Sequence, residues 1–165
     1  MSDGDIRKSF YHDGTLHSLE IFHDDKRNGI CKWYYENGTL EAEISFLEDK
    51  RDGLYKSFYE SGALWQEAYY KNDLQDGLTR WYYENQSLAA EVNYSNGVLE
   101  GQTKWYYENR KLKLVEEFKN GKLDGKSVGY DENANILFEE EYKEGIKMAC
   151  RRFDSEGNII QSQSF

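Results

Sequence analysis

Apolar and polar residues alternate along this chain in short runs, and the runs recur. From Gly29 to Glu36 the chain reads Gly-Ile-Cys-Lys-Trp-Tyr-Tyr-Glu, and from Thr39 to Phe46 it reads Thr-Leu-Glu-Ala-Glu-Ile-Ser-Phe, with Asn37-Gly38 between. A period of two in aromatic and β-branched residues predicts strands, and turn signals every dozen positions argue against helices. Asn-Gly between two such runs is a strong hairpin signal, because a two-residue type I′ turn needs φ > 0 at both central positions. Each such hairpin is expected to lead through a six-residue connection, of the Leu47 to Asp52 kind, into the next.

The hairpin is rewritten along the chain. Trp33-Tyr34-Tyr35-Glu36-Asn37-Gly38 returns as Phe58-Tyr59-Glu60-Ser61-Gly62, as Trp81-Tyr82-Tyr83-Glu84-Asn85 and as Trp105-Tyr106-Tyr107-Glu108-Asn109, with fainter copies at Phe10-Tyr11 and Tyr130-Asp131. Tyr11, Tyr35, Tyr59, Tyr83 and Tyr107 are each 24 residues apart, and a fixed period in this range marks a repeat architecture. After a lead-in at residues 1–4, the units are 5–28, 29–52, 53–76, 77–100, 101–124, 125–148 and a short 149–165. The expected fold is all-β: one repeat domain over 1–165, a single-layer antiparallel meander of about 14 strands built from about seven 24-residue hairpins.

A two-residue turn fixes the register. Residues whose numbers sum to 75 face each other in the second unit, so Lys32 faces Glu43; one period on Lys56 faces Glu67, and two on Arg80 faces Glu91. The same rule sets Gly29 opposite Phe46, Gly53 opposite Tyr70, Gly77 opposite Tyr94, Gly101 opposite Phe118 and Gly125 opposite Tyr142. Cross-strand ion pairs and aromatics over glycine are both stabilising arrangements. One face then carries Trp33, Tyr35, Leu40, Ala42, Ile44 and Phe46, and the other Ile30, Lys32, Tyr34, Glu41 and Glu43. Gln86, Arg110 and Ala134 stand where the turn needs φ > 0, so those hairpins are expected to use another turn or to carry strain.

Composition narrows the function. The chain has 165 residues, with 31 acidic and 21 basic, a net charge of −10 and 14 Tyr. Negative charge disfavours direct nucleic-acid binding and attachment to anionic membrane, and favours a basic partner. Cys31 and Cys150 lie in distant repeats and are expected to be free thiols in a reducing compartment. No signal-like or membrane-spanning apolar run is present, so a cytoplasmic location is expected.

The unit Gly-x4-Tyr-Tyr-Glu-Asn-Gly-x-Leu-x2-Glu-x2-Phe, as Gly29 to Phe46 shows it, resembles the MORN-repeat variant found in bacterial proteins. The resemblance spans nearly the whole chain and departs from the pattern at Gln86, Arg110, Ala134 and the end units. It implies an antitoxin or immunity protein that binds and neutralises a toxin; related arrays elsewhere are scaffolds, some proposed to bind lipid. It implies no catalytic residues and no cofactor.

The residues themselves point the same way. His12, His17 and His23 do not converge in the hairpin register, so no metal site is expected. The Glu43, Glu67, Glu91 ladder has a basic residue opposite each member, which reads as structural pairing rather than a glycosidase pair. Cys31 has no His partner, and the glycines follow the period rather than clustering into a phosphate loop. What remains is aromatic area: a single sheet layer cannot bury both faces, and accessible Trp and Tyr dominate binding hot spots. The expected partner-binding residues are Trp33, Tyr35, Trp81, Tyr83, Trp105 and Tyr107 as anchors, with Glu43, Glu67 and Glu91 as charge partners or structural pairs. The expected function is a non-enzymatic inhibitor of a basic protein such as a toxin or nuclease. A phage-type inhibitor of a host nuclease would use the same physics. A scaffold that pairs its open edges into a homodimer, or one attached to lipid, is the alternative.

Overall fold

The computed structural model describes residues 4–165; the remainder of the expected lead-in, residues 1–3, lies outside the described residues. The chain separates into two units, the first running to Gln86 and the second from Ser87 to Phe165. The first unit contains β1 (Asp5–Phe10), β2 (Leu16–His23), β3 (Lys26–Arg27), β4 (Gly29–Tyr34), β5 (Leu40–Leu47), β6 (Lys50–Phe58), β7 (Leu64–Lys71), β8 (Leu74–Gln75) and β9 (Gly77–Tyr82). The second contains β10 (Leu88–Ser95), β11 (Val98–Leu99), β12 (Gly101–Tyr106), β13 (Leu112–Lys119), β14 (Lys122–Tyr130), β15 (Ile136–Lys143), β16 (Ile146–Phe153) and β17 (Ile159–Ser164). Within each unit the strands follow chain order and pair antiparallel, and no helix occurs among the described residues. The two-residue segments β3, β8 and β11 are the beginnings of longer strands, each interrupted one residue before a periodic glycine.

The body of each hairpin has the expected register. Gly29 pairs with Phe46, Lys32 with Glu43 and Trp33 with Ala42; Gly53 pairs with Tyr70 and Lys56 with Glu67; Gly101 pairs with Phe118 and Gly125 with Tyr142.

The turn that closes the hairpin is not the expected one. The Gly38 N–H bonds the Tyr35 carbonyl at 2.9 Å and the Tyr35 N–H bonds the Thr39 carbonyl at 2.9 Å. Gly38 has φ +82°, while Asn37 is absent from the positive-φ residues. This is a three-residue loop, a type I turn followed by one left-handed residue. It would shift the register by one, but Tyr34 pairs with Leu40 while Trp33 pairs with Ala42, leaving Glu41 as an extra residue in a β-bulge. The bulge restores the register of the strand body. It also corrects one face assignment: Leu40 sits opposite Tyr34, on the face of Lys32 and Glu43, and not in the Trp33 row.

Type I′ turns do occur, at the connections expected to be six-residue links. Asp24-Asp25, Glu48-Asp49 and Asn72-Asp73 all have φ between +49° and +69°. Leu47 therefore pairs directly with Lys50 and Phe46 with Arg51. The connection is a second hairpin, because two successive left-handed residues match the twist of the flanking strands.

The loop is kept where glycine is lost. Gln86, Arg110 and Ala134 adopt φ of +64°, +69° and +72° at the position of Gly38. A side chain there costs about 1–2 kcal/mol, least for residues that can bond locally. Ala134 has no such compensation. Ala134→Gly is expected to stabilise the chain by about 1 kcal/mol in urea unfolding, and Asn133→Gly, outside the positive-φ position, to bring no gain.

Burial falls on one face of each sheet. In the first unit Ser18, Cys31, Phe46, Ser57, Ala68 and Thr79 are at most 7% exposed, and in the second Ala90, Val92, Thr103, Ser127, Glu140 and Cys150 are at most 8%. All twelve share the pleat side of the Trp33 row, as the pairings of Cys31 with Ile44, Ser57 with Gln66 and Ser127 with Glu140 require. Apart from Phe46 and Glu140 the buried side chains are small, and packing works by alternating size. Trp33 lies opposite Ala42, Trp105 opposite Ala90, and Gly129 opposite Phe138.

Candidate protein-binding faces

Both edges of the repeat are stitched to the next repeat. On the edge of the three-residue loops, tyrosines of the 24-residue series point their hydroxyls along the array. Tyr11 donates to the Tyr34 carbonyl at 2.7 Å, Tyr35 to that of Phe58 at 2.7 Å, Tyr59 to that of Tyr82 at 2.8 Å and Tyr107 to that of Tyr130 at 2.8 Å. Asn37 accepts from the Thr39 N–H at 2.8 Å and donates to the Glu60 carbonyl at 3.2 Å, and Asn109 repeats this with Lys111 and Glu132. Burial, with Glu41 adding, pushes the Tyr35 phenol above its ordinary range. Tyr35 and Tyr107 thus spend their polar ends inside the protein. Tyr35→Phe is expected to lower stability by about 1 kcal/mol in thermal or urea unfolding, the size of one half-buried hydrogen bond.

On the opposite edge the type I′ turns do the stitching. The Asp49 N–H donates to the Arg27 carbonyl at 3.0 Å, while its carboxylate accepts from the Arg27 N–H at 3.0 Å and from Nε at 3.1 Å. Asp73 and Arg51 repeat the arrangement. These backbone and guanidinium donors hold both carboxyls below the usual aspartate range. The guanidiniums of Arg27 and Arg51 lie over the rings of Phe46 and Tyr70 at 4.3 and 4.2 Å, so the aromatic opposite each of these periodic glycines is covered by an arginine.

The nine expected binding residues fall into three groups. Trp33 and Trp81, in the first unit, and Trp105, in the second, lie on the more buried face. Trp33 is half-buried and packs on Phe46, ring centroids 6.1 Å apart; Trp81 is half-buried; Trp105 is 42% exposed. Tyr35, Tyr83 and Tyr107 sit at the loop edge. Glu43, Glu67 and Glu91 lie on the other face. Lys32 approaches Glu43 at 3.1 Å and Lys56 approaches Glu67 at 3.5 Å, and each of these two glutamates also faces the lysine or arginine of the following strand. Glu91 faces Lys104 and accepts from the Tyr106 hydroxyl at 3.4 Å. Trp33 and Glu43 therefore do not share a surface.

The bulge exposes residues that periodicity overlooks. Trp65 and Leu137 occupy the position of Glu41, and both are 44% exposed. Trp65 leans toward Tyr59, with ring centroids 6.4 Å apart. A hydrophobic residue one place after Leu64 and after Ile136 was the available signal.

The second unit also holds a buried charge cluster. Glu140 is 7% exposed, and accepts from Lys147 Nζ at 2.7 Å, the Tyr142 hydroxyl at 2.7 Å and an Arg152 Nη at 3.2 Å. Burial alone would raise its carboxyl, but these three partners bring it below the usual glutamate range.

His17 bonds Ser9 at 3.0 Å and stacks edge-on against Tyr11, and His23 contacts Asp24 at 3.2 Å. No group of metal-ligating side chains occurs among the described residues. Cys31 and Cys150 are both free and buried, and burial pushes the Cys31 thiol up, away from nucleophilic reactivity. No helix is long and apolar enough to cross a membrane, which says nothing of a β-barrel.

Repeated bulged hairpins with a tyrosine stitch on one edge define a β-hairpin repeat protein. The MORN repeat variant matches residues 27–48, 51–72, 75–96 and 99–120, more than half of the chain, and the chain belongs to that family. The same hairpin extends beyond the matched residues on both sides, in β1–β2 and from β14 to β17. No curated protein matches the chain.

Proposed function

We propose that this chain is a binding protein that inhibits a basic partner protein, of the antitoxin or immunity kind, acting in the cytoplasm and without catalysis of its own. The observation that supports this most is Trp105. An indole 42% exposed, beside the buried Ala90 and Thr103, is large apolar area offered on an otherwise rigid face, and Trp is the residue type most enriched at binding hot spots. Trp33 and Trp81 hold the same position in the first unit. The charge of −10 would speed the approach of a basic partner and orient it. The tyrosine and arginine–aspartate stitches supply the rigidity that lowers the entropic cost of binding.

The test is capture of partners from lysate at low and high salt by the wild type and by Trp105→Ala and Trp81→Ala. The expected result is a basic protein retained by the wild type and bound at least about tenfold more weakly by Trp105→Ala. Recovery of the chain alone, as an oligomer of itself, would replace this reading with the scaffold.

A further inference from the structure

We propose that Glu116 is the seat of a basic side chain, a lysine or arginine presented by the partner protein. The inference rests on the binding reading above and names the chemistry one position of that face would recognise. Glu116 lies in β13 on the Trp105 side of the sheet. Its place in the row is taken by Glu20, Ile44, Ala68 and Val92 in earlier repeats and by Glu140 in the next, and Glu20 faces Arg7 across its strand pair. Cross-strand pairing sets it between Thr103 on β12 and Ser127 on β14.

Three observations make this a site rather than another paired glutamate. Glu116 is half-buried, yet it makes no ion pair or hydrogen bond to any described residue, and its nearest charged influence is the carboxylate of Glu140. Glu140 is itself already satisfied by Lys147, Tyr142 and Arg152, and none of these is bonded to Glu116. Thr103, facing Glu116, is 2% exposed and its Oγ1 has no hydrogen-bond partner. An ammonium or guanidinium at Glu116 would neutralise the carboxylate. With one carboxylate oxygen on the cation, the other would be placed to accept from the Thr103 hydroxyl on the facing strand. Consistent with an unmet need for a cation, burial and then Glu140 hold the Glu116 carboxyl above the usual glutamate range.

Sites that bind cations leave this signature when empty, because a half-buried carboxylate without a partner weakens the free protein and is relieved only on binding. Trp105 lies two residues beyond Thr103 on the same strand and the same side. An aromatic anchor and an acidic notch therefore stand within one partner side chain's reach of each other.

The experiment titrates an acetylated Gly-Lys-Gly-Lys-Gly peptide, and its arginine counterpart, into the full chain with its glutamates labelled for carbon NMR, at low salt. Binding should move the Glu116 carboxyl resonance first and bring its pKa down toward the ordinary range. Glu116→Gln should weaken peptide binding about tenfold, while Glu108→Gln, the same charge change at an exposed loop position, should leave it within about twofold. Equal effects of the two substitutions, or a Glu116 resonance that does not respond at saturation, would overturn the proposal. If the Glu116 seat fails while Trp105-dependent capture persists, only the seat is lost. If both fail, the binding reading falls with it.

Discussion

Gly129→Trp should unfold the second unit, and adding Phe138→Ala to the same chain should restore it. Gly129 lies directly opposite Phe138, and a Cβ placed on it would overlap Cε1 and Cζ of that ring. The Arg152 guanidinium lies 5.0 Å from the centroid of that ring, so a displaced ring would also give up this contact. Overpacking of this kind costs about 1–3 kcal/mol for a modest group, and an indole should exceed about 3 kcal/mol. The rescue follows from the other repeats, where the same pair of positions is Trp33 opposite Ala42. In the fifth repeat it is Trp105 opposite Leu114, so the row takes an indole against an aliphatic side chain, but none of these pairs sets two aromatic rings against each other. Urea unfolding should show the single variant with little folded baseline and the double variant within about 1 kcal/mol of wild type. A double variant no better than the single would show that the row does not pack by complementary size.

Gly53→Ala should cost about 3 kcal/mol, and Gly77→Ala clearly less. Both glycines have strongly positive φ, at +112° and +115°, in a region closed to L side chains at about 1–3 kcal/mol. They differ in space. A Cβ on Gly53 would meet the Ser45 Cβ at 3.0 Å, whereas one on Gly77 would find nothing nearer than the Tyr69 Cβ at 3.8 Å. Gly77→Ala therefore measures the backbone contribution alone, and the difference between the two measures contact. Equal losses in urea unfolding would assign the whole effect to backbone conformation. No loss in either variant would mean that neither conformation nor contact requires glycine at these positions.

The repeat and its register were legible in the sequence because the pairing chemistry recurs. Lys32 with Glu43 and Gly29 with Phe46 are both satisfied by one sum rule. That rule is blind to how the hairpin closes. A three-residue loop plus one bulged residue shifts the count as a two-residue loop does, so the register survives a wrong turn type. The face of Leu40 and the exposure of Trp65 do not survive it, since both depend on where the extra residue falls. The type I′ turn carries no glycine at Glu48-Asp49, but the same positions read Asn96-Gly97 and Asn120-Gly121 in later repeats, a signal that a reading centred on Asn37-Gly38 passes over. The binding candidates were legible as residue types but not as surfaces. Glu43 and Trp33 share a hairpin and suggest one site, yet alternation places them on opposite sides of the sheet. The role of the Tyr35 and Tyr107 hydroxyls is set by carbonyls 23 residues away, which periodicity alone does not name. Glu116 was hidden because its row mixes Glu20, Glu116 and Glu140 with Ile44, Ala68 and Val92, and the sequence does not say which of these glutamates has a partner.

The proposed inhibition runs through the face that carries Trp105. The most direct measurement is the activity of the captured basic protein, titrated with wild-type chain and with Trp105→Ala at equal folded concentration. Wild-type chain should abolish the activity with saturation at a fixed ratio, and the variant should need a midpoint concentration at least about tenfold higher. Undiminished activity of the partner in saturated complex, or equal inhibition by both proteins, would contradict it.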